Sequence, residues 1–159
     1  MITALSLTEP QKAYLAGFID GEGYIGLTFQ RKKETSQHSA TPRYHPYLII
    51  ANNNSSVLFF IKDIIGEGRV YRLKRSKENQ LPGFQYKLTK TNTLEALLSA
   101  IEPYLFVKQQ QTKLLIKYIT TRRSRQLTTG AGSRGKTSFG REEEQIYREL
   151  LVLNKKGRY

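Results

Sequence analysis

The chain has 159 residues, one domain by length, and 38% of them are apolar, enough for one compact core. Lys and Arg total 26 against 13 Asp and Glu, a net charge of +13 that repels itself unless a polyanion compensates it, so nucleic acid is the expected partner. The absence of cysteine excludes disulfides and Cys-ligated zinc readers, and apolar runs of four or five residues (Val57–Ile61, Leu48–Ala51) fall far short of the roughly 20 that span a membrane. Thr8 with Gln11 forms a capping-box pattern, and Pro10 fits the first turn of a helix over residues 11–20. On that helix Leu15, Phe18 and Ile19 form a core face, while Ala13, Ala16 and Gly17 form a stripe of small residues suited to close contact with another helix. Tyr24–Lys33 then alternates, with Ile25, Leu27 and Phe29 on one side and Tyr24, Gly26, Thr28, Gln30 and Lys32 on the other, which predicts a strand with a wet face. Arg43–Ala51 reads as a second, more buried strand.

The cap-rich run Asn52–Ser56 opens a second helix through Val57, Leu58, Ile61, Ile64 and Ile65, which Gly66 and Gly68 stop. Strands are expected over Arg69–Arg75 and Phe84–Lys90, joined through Leu81-Pro82-Gly83. Asn92 with Glu95 caps a third helix ending before Pro103, and a fourth runs through Leu114, Leu115, Tyr118 and Ile119. Residues 122–141 hold six basic residues and no acid and read as a flexible basic loop before a last helix at 142–153. Residues 1–159 thus form a single α+β domain. Met1–Thr8 lacks the regions of a secretory signal, so an intracellular setting is expected, the bacterial cytoplasm or an organelle matrix.

Chemistry concentrates in Asp20-Gly21-Glu22-Gly23, two carboxylates at a glycine-softened helix end. Beside a phosphate backbone they are repelled unless a cation intervenes. Hard oxygen ligands suit Mg²⁺, which keeps most of its waters and binds through one or two carboxylates and substrate phosphates. The plainer alternative is a pair of solvated turn acids. For base reading, Arg, Lys, Asn and Gln suit major-groove edges, and a two-stranded ribbon fits that groove. Thr28, Gln30 and Lys32 on the first strand and Gln85 and Lys87 on the fourth are the base-contact candidates, joined by Arg43, Arg69, Tyr71 and Arg75. Alternation leaves the third strand open, because Val70, Arg72 and Lys74 share one face and Arg69, Tyr71, Leu73 and Arg75 the other. Arg122 and Arg123, in the expected loop, suit phosphates rather than bases.

Residues 14–23, YLAGFIDGEG, resemble the motif of the LAGLIDADG homing endonucleases, with Phe18, Gly21 and Glu22 as the departures. The element order fits the αββαββα fold of that family as well. The resemblance implies an antiparallel, saddle-shaped sheet in the DNA major groove, helices on one face, and a homodimer whose motif helices pair at its centre. It implies a site-specific, Mg²⁺-dependent double-stranded DNA endonuclease cutting a long pseudo-palindromic target with 3′ overhangs. Mn²⁺ is an alternative cofactor, and Ca²⁺ is expected to bind without supporting cleavage. Glu22 would be the catalytic metal ligand with the Gly21 carbonyl, and Asp20 would hold the helix packing at the dimer interface. The segment Glu102–Gln111, EPYLFVKQQQ, resembles the one that brings a lysine to the site, which implies Lys108. Asn52 is the candidate for ordering water there, with Asn53 and Asn54 as alternatives or all three as helix caps. LNKKG, Leu153–Gly157, resembles a recurrent family C-terminus. The rivals are an intron maturase of the same fold, which would add intron RNA as a partner, and a basic RNA-binding structural protein.

Overall fold

The computed structural model describes residues 5–31, 42–74, 82–128 and 140–155. Its elements run α1 (Glu9–Glu22), β1 (Gly23–Arg31), β2 (Pro42–Asn52), α2 (Ser55–Ile65), β3 (Arg69–Arg72), β4 (Phe84–Leu88), α3 (Thr91–Ile101), α4 (Gln109–Thr128) and α5 (Arg141–Leu153). This is the αββαββα order followed by two more helices. The strands form one antiparallel sheet in the order β1-β2-β4-β3.

The capping box forms as expected: Thr8 Oγ1 accepts from the Gln11 N–H at 3.4 Å and Gln11 Oε1 accepts from the Thr8 N–H at 2.9 Å. The helix then continues two residues past Asp20, so both motif carboxylates stand on its last turn. No loop separates it from β1. A Cβ on Gly23 would lie 2.6 Å from the Ile19 carbonyl oxygen, so only glycine lets the chain leave the helix directly into a strand at this point. At α2 the outcome among the three asparagines is specific: Asn54 is the N-cap, its Oδ1 accepting from the Ser56 N–H at 2.9 Å.

One face of the sheet is buried. Ile25 pairs with Leu48, Leu48 with Leu88, Ile50 with Tyr86 and Tyr86 with Val70, and the first five of these side chains are fully buried under Leu15, Ile19, Leu58, Ile61, Leu94 and Leu97. Ala16 is also fully buried. It therefore packs into the core rather than on the exposed small-residue stripe, of which Ala13 and Gly17 remain, with Gly21 also exposed further along the helix.

Three expectations are corrected. α3 has Lys90, not Asn92, at its N-cap, with no side-chain cap bond, because Glu95 turns inward to pair with Arg123. β3 ends at Arg72. The basic segment does not open as a loop at residue 122, since α4 continues to Thr128. The reason lies in its partners: Arg123 forms a double hydrogen bond with Glu95 of α3, and Arg125 reaches Glu143 of α5 at 2.5 Å, so acids from two neighbouring helices fix the extra turns.

Candidate active site and nucleic-acid interface

The end of α1 is tied to the segment that precedes α4. Asp20 accepts the backbone N–H groups of Phe106 at 2.7 Å and Lys108 at 2.9 Å, one on each carboxylate oxygen. In return the Lys108 ammonium donates to the Asp20 backbone carbonyl. A second tie, Tyr104 hydroxyl to Glu9 carboxylate, fixes the same segment near the start of the helix. The sequence separation is 86 and 88 residues at Asp20, and the outcome is that Lys108 is delivered to the carboxylate-bearing turn.

Asp20 is therefore consumed by structure, whereas Glu22 is exposed and makes no hydrogen bond or ion pair among the described residues. Burial pushes the half-buried Lys108 ammonium below the usual lysine range, and the negative charges of Asp20 and Glu22 oppose that shift. Asn52 stands at the end of β2. It pairs with Phe84 of β4 and lies two residues past Ile50, the partner of Gly23. Its Oδ1 accepts from the Asn54 N–H at 2.8 Å, which fixes the side chain in the turn that leads into α2. The end of α1 with Gly21 and Glu22 and the segment carrying Lys108 are thus gathered from two separate stretches of chain, while Asn52 is tied only to its own turn and to β4.

The other face of the sheet is open. Its rows, read from the pairing, are Tyr24–Ile49–Lys87–Arg69, Gly26–Tyr47, Thr28–His45, Gln30–Arg43 and Ala51–Gln85–Tyr71. This settles the third strand. Val70 lies opposite buried Tyr86, so Arg69 and Tyr71 share the face of Gln85 and Lys87. Among the described residues no strand residue is acidic. Lys32 and Arg75 lie outside the described residues. Arg122 and Arg123, expected to touch phosphate, are engaged within the protein instead: Arg123 is bonded to nearly buried Glu95, and Arg122 lies 3.8 Å from fully buried Glu143.

Near the middle of this face Tyr24 and Tyr47 stack with ring centroids 5.8 Å apart and planes 10° from parallel, and Lys87 Nζ lies 5.7 Å from the Tyr47 centroid. Burial pushes the Tyr47 hydroxyl up to about 12, with neighbouring Tyr24 adding to it. Gly26 makes room for the pair, since a Cβ there would lie 2.8 Å from the Tyr24 ring. Tyr47 and His45 were absent from the sequence-derived candidates. The period-2 signal of Arg43, His45, Tyr47 against Tyr44, Pro46, Leu48 was there to find, but Ile49 on the open side made the strand read as buried throughout.

A family model described as LAGLIDADG endonuclease matches residues 15–123, from Leu15 through Lys108 into α4. The chain belongs to the LAGLIDADG endonuclease family. No curated protein matches its sequence. Among solved structures, this LAGLIDADG endonuclease is similar to the homing endonuclease I-CvuI in complex with an I-CreI target, with a TM-score of 0.66 and 21% identity over 95% of this chain and 87% of that one. An archaeal intron-encoded homing endonuclease complexed with DNA gives 0.68 and 20% over 94% and 87%. The I-SmaMI LAGLIDADG homing endonuclease bound to cleaved DNA gives 0.64 and 15% over 94% of this chain but 45% of that one. At these identities the likeness establishes the fold, the open antiparallel sheet with helices that the sequence led us to expect.

Proposed function

We propose that this LAGLIDADG endonuclease is a homodimeric, site-specific homing enzyme that hydrolyses both strands of a long pseudo-palindromic DNA target with Mg²⁺, leaving 3′ overhangs. The observation that carries the reading is the anchoring of Lys108 on the Asp20 carbonyl, two residues from exposed Glu22 at the end of α1, with no acid on the described strands. Solvated turn acids would have no reason to be joined by a half-buried lysine held from 88 residues away.

The donor set fits Mg²⁺. Among the described residues no three His, Asp or Glu side chains gather into a cage, and Mg²⁺ does not need one, because it retains waters and takes phosphate oxygens as ligands. Glu22 would supply the carboxylate and the Gly21 carbonyl a second oxygen, and a Cβ at Gly21 would meet nothing within 4 Å, so the helix end is open to approach. When bound, such an ion polarises the phosphate and offsets its developing charge. Lys108 holds a further positive charge at the same point, and Asp20 positions it through two backbone bonds. Mn²⁺ would serve in place of Mg²⁺, and Ca²⁺ would support binding without cutting. I-CvuI has been crystallised on DNA in the presence of Mg and of Ca, which supports a divalent site in this fold.

Two features support the dimer. Ala13, Gly17 and Gly21 line the exposed side of α1, and a Cβ at Gly17 would meet nothing within 4 Å, so a second helix can approach the backbone there. The chain also covers under half of I-SmaMI, so two copies together match the length of that one chain. On the open face Thr28, Gln30, Arg43, Arg69, Tyr71, Gln85 and Lys87 would meet base edges and phosphates. Incubation with a randomised plasmid library and Mg²⁺, followed by sequencing of cut ends, tests the reading. Recovered sites with two-fold pseudo-symmetry and 3′ overhangs are expected; no cleavage of any sequence with Mg²⁺ or Mn²⁺ would overturn it.

A further inference from the structure

β1 is an edge strand, paired on one side only with β2, yet it follows Glu22 directly and carries Tyr24, Thr28 and Gln30 on the open face. An edge strand is free to shift or fray unless something covers its outer side. The C-terminal helix holds the strand at two points, of which the second engages its backbone. Near the far end of the strand, the Tyr147 ring packs 6.0 Å from Phe29 and 5.1 Å from Tyr44, the residue paired with Phe29. At the end nearest Glu22, the Asn154 carboxamide donates through Nδ2 to the Ile25 backbone carbonyl at 2.9 Å, across 129 residues of sequence. Asn154 can make this bond because its own backbone N–H closes the last turn of α5 on the Leu150 carbonyl, which fixes the base of its side chain. The helix itself is anchored from its start, where buried Glu143 holds Arg125 of α4 and the Gly140 N–H.

We infer that Asn154 is a positioning residue: by clamping the Ile25 carbonyl from the end of α5 it holds the first residues of β1, and with them Glu22 and the strand's base-reading side chains, in fixed register to Lys108. The Asn of the LNKKG segment thereby acquires a role that its position near the chain end does not suggest. The inference rests on the nuclease reading for its effect on cleavage but not for its effect on the strand.

Asn154→Asp keeps size and shape but puts an acceptor against the carbonyl, and Asn154→Leu removes the polar bond altogether. Two readouts are needed. Segment-resolved hydrogen exchange of the DNA-free protein should show protection over residues 23–31 falling at least about tenfold in both variants while α3 and β4 keep theirs. Cleavage at saturating DNA and Mg²⁺ should fall at least about tenfold. Unchanged protection over β1 would overturn the inference, and so would loss spread evenly over the sheet, since that is what a merely stabilising residue produces. If Leu prevents folding, the Asp variant carries the test. An exchange change in β1 together with a parent protein that cuts no DNA would sustain the clamp and sink the nuclease reading instead.

Discussion

The two motif acids stand two positions apart, and neutralising each should differ in what it does to stability. Asp20→Asn keeps one acceptor oxygen and replaces the other with an NH₂ that faces an N–H, so one of the bonds to Phe106 and Lys108 is lost. Hydrogen bonds to a charged group contribute about 1.5–3 kcal/mol, and Asp20 is only half-buried, which puts the loss near the lower end, about 1.5 kcal/mol. For a domain of this size that lowers Tm by roughly 3–6 °C. Because the released segment carries Lys108, cleavage should fall as well. Glu22→Gln removes an exposed carboxylate that makes no hydrogen bond or ion pair among the described residues, so Tm should stay within about 1 °C. Its cleavage should fall by several orders of magnitude, because the neutral amide does not hold the cation. DNA affinity measured by gel shift in Ca²⁺ should hold or rise, since a charge repelled by phosphate has gone. Calorimetry, gel shift and single-turnover cleavage on both proteins decide the matter. A Glu22→Gln enzyme that cuts normally, or an Asp20→Asn protein with unchanged Tm, would refute the division of labour.

Gly17→Leu should leave the monomer folded, because its side chain enters open space, and should abolish the dimer in sedimentation and with it double-strand cleavage; a fully active dimer would remove the interface. Arg123→Gln should destabilise the protein by about 2 kcal/mol, as Glu95 is left nearly buried without its partner, while the slope of log affinity against log salt stays at the parent value; a slope reduced by about one would return Arg123 to the phosphate contacts. Gln30→Ala and Lys87→Gln should each relax base preference at a few target positions by about 1–3 kcal/mol without changing the cleavage rate on the best site, which sequencing of selected sites reads directly. EDTA should stop cleavage with the circular dichroism spectrum unchanged, since no described structural bond depends on a metal.

What the chain determines by local order is considerable. The capping box of α1, the alternation of β1 and β4, the stop at Gly66 and the motif LAGFIDGEG are each written within about ten residues, where a helical or strand period and a few cap residues suffice. The proposal of Glu22 and Lys108 as site residues comes from motif resemblance, residue by residue. The remainder depended on partners far away in the sequence. Arg69-Val70-Tyr71-Arg72 contains one aliphatic residue, too little to choose a face, and only its pairing with buried Tyr86 turned Arg69 and Tyr71 outward. Ala16 is as small as Ala13, and nothing but the position of the sheet and the other helices makes one core and the other surface. Arg122 and Arg123 look identical to free phosphate-binding arginines until Glu143 and Glu95 arrive from α5 and α3. Periodicity records which side of an element avoids water, whereas the role of a charged side chain is set by the charge brought opposite it, and that is fixed only when distant segments pack together.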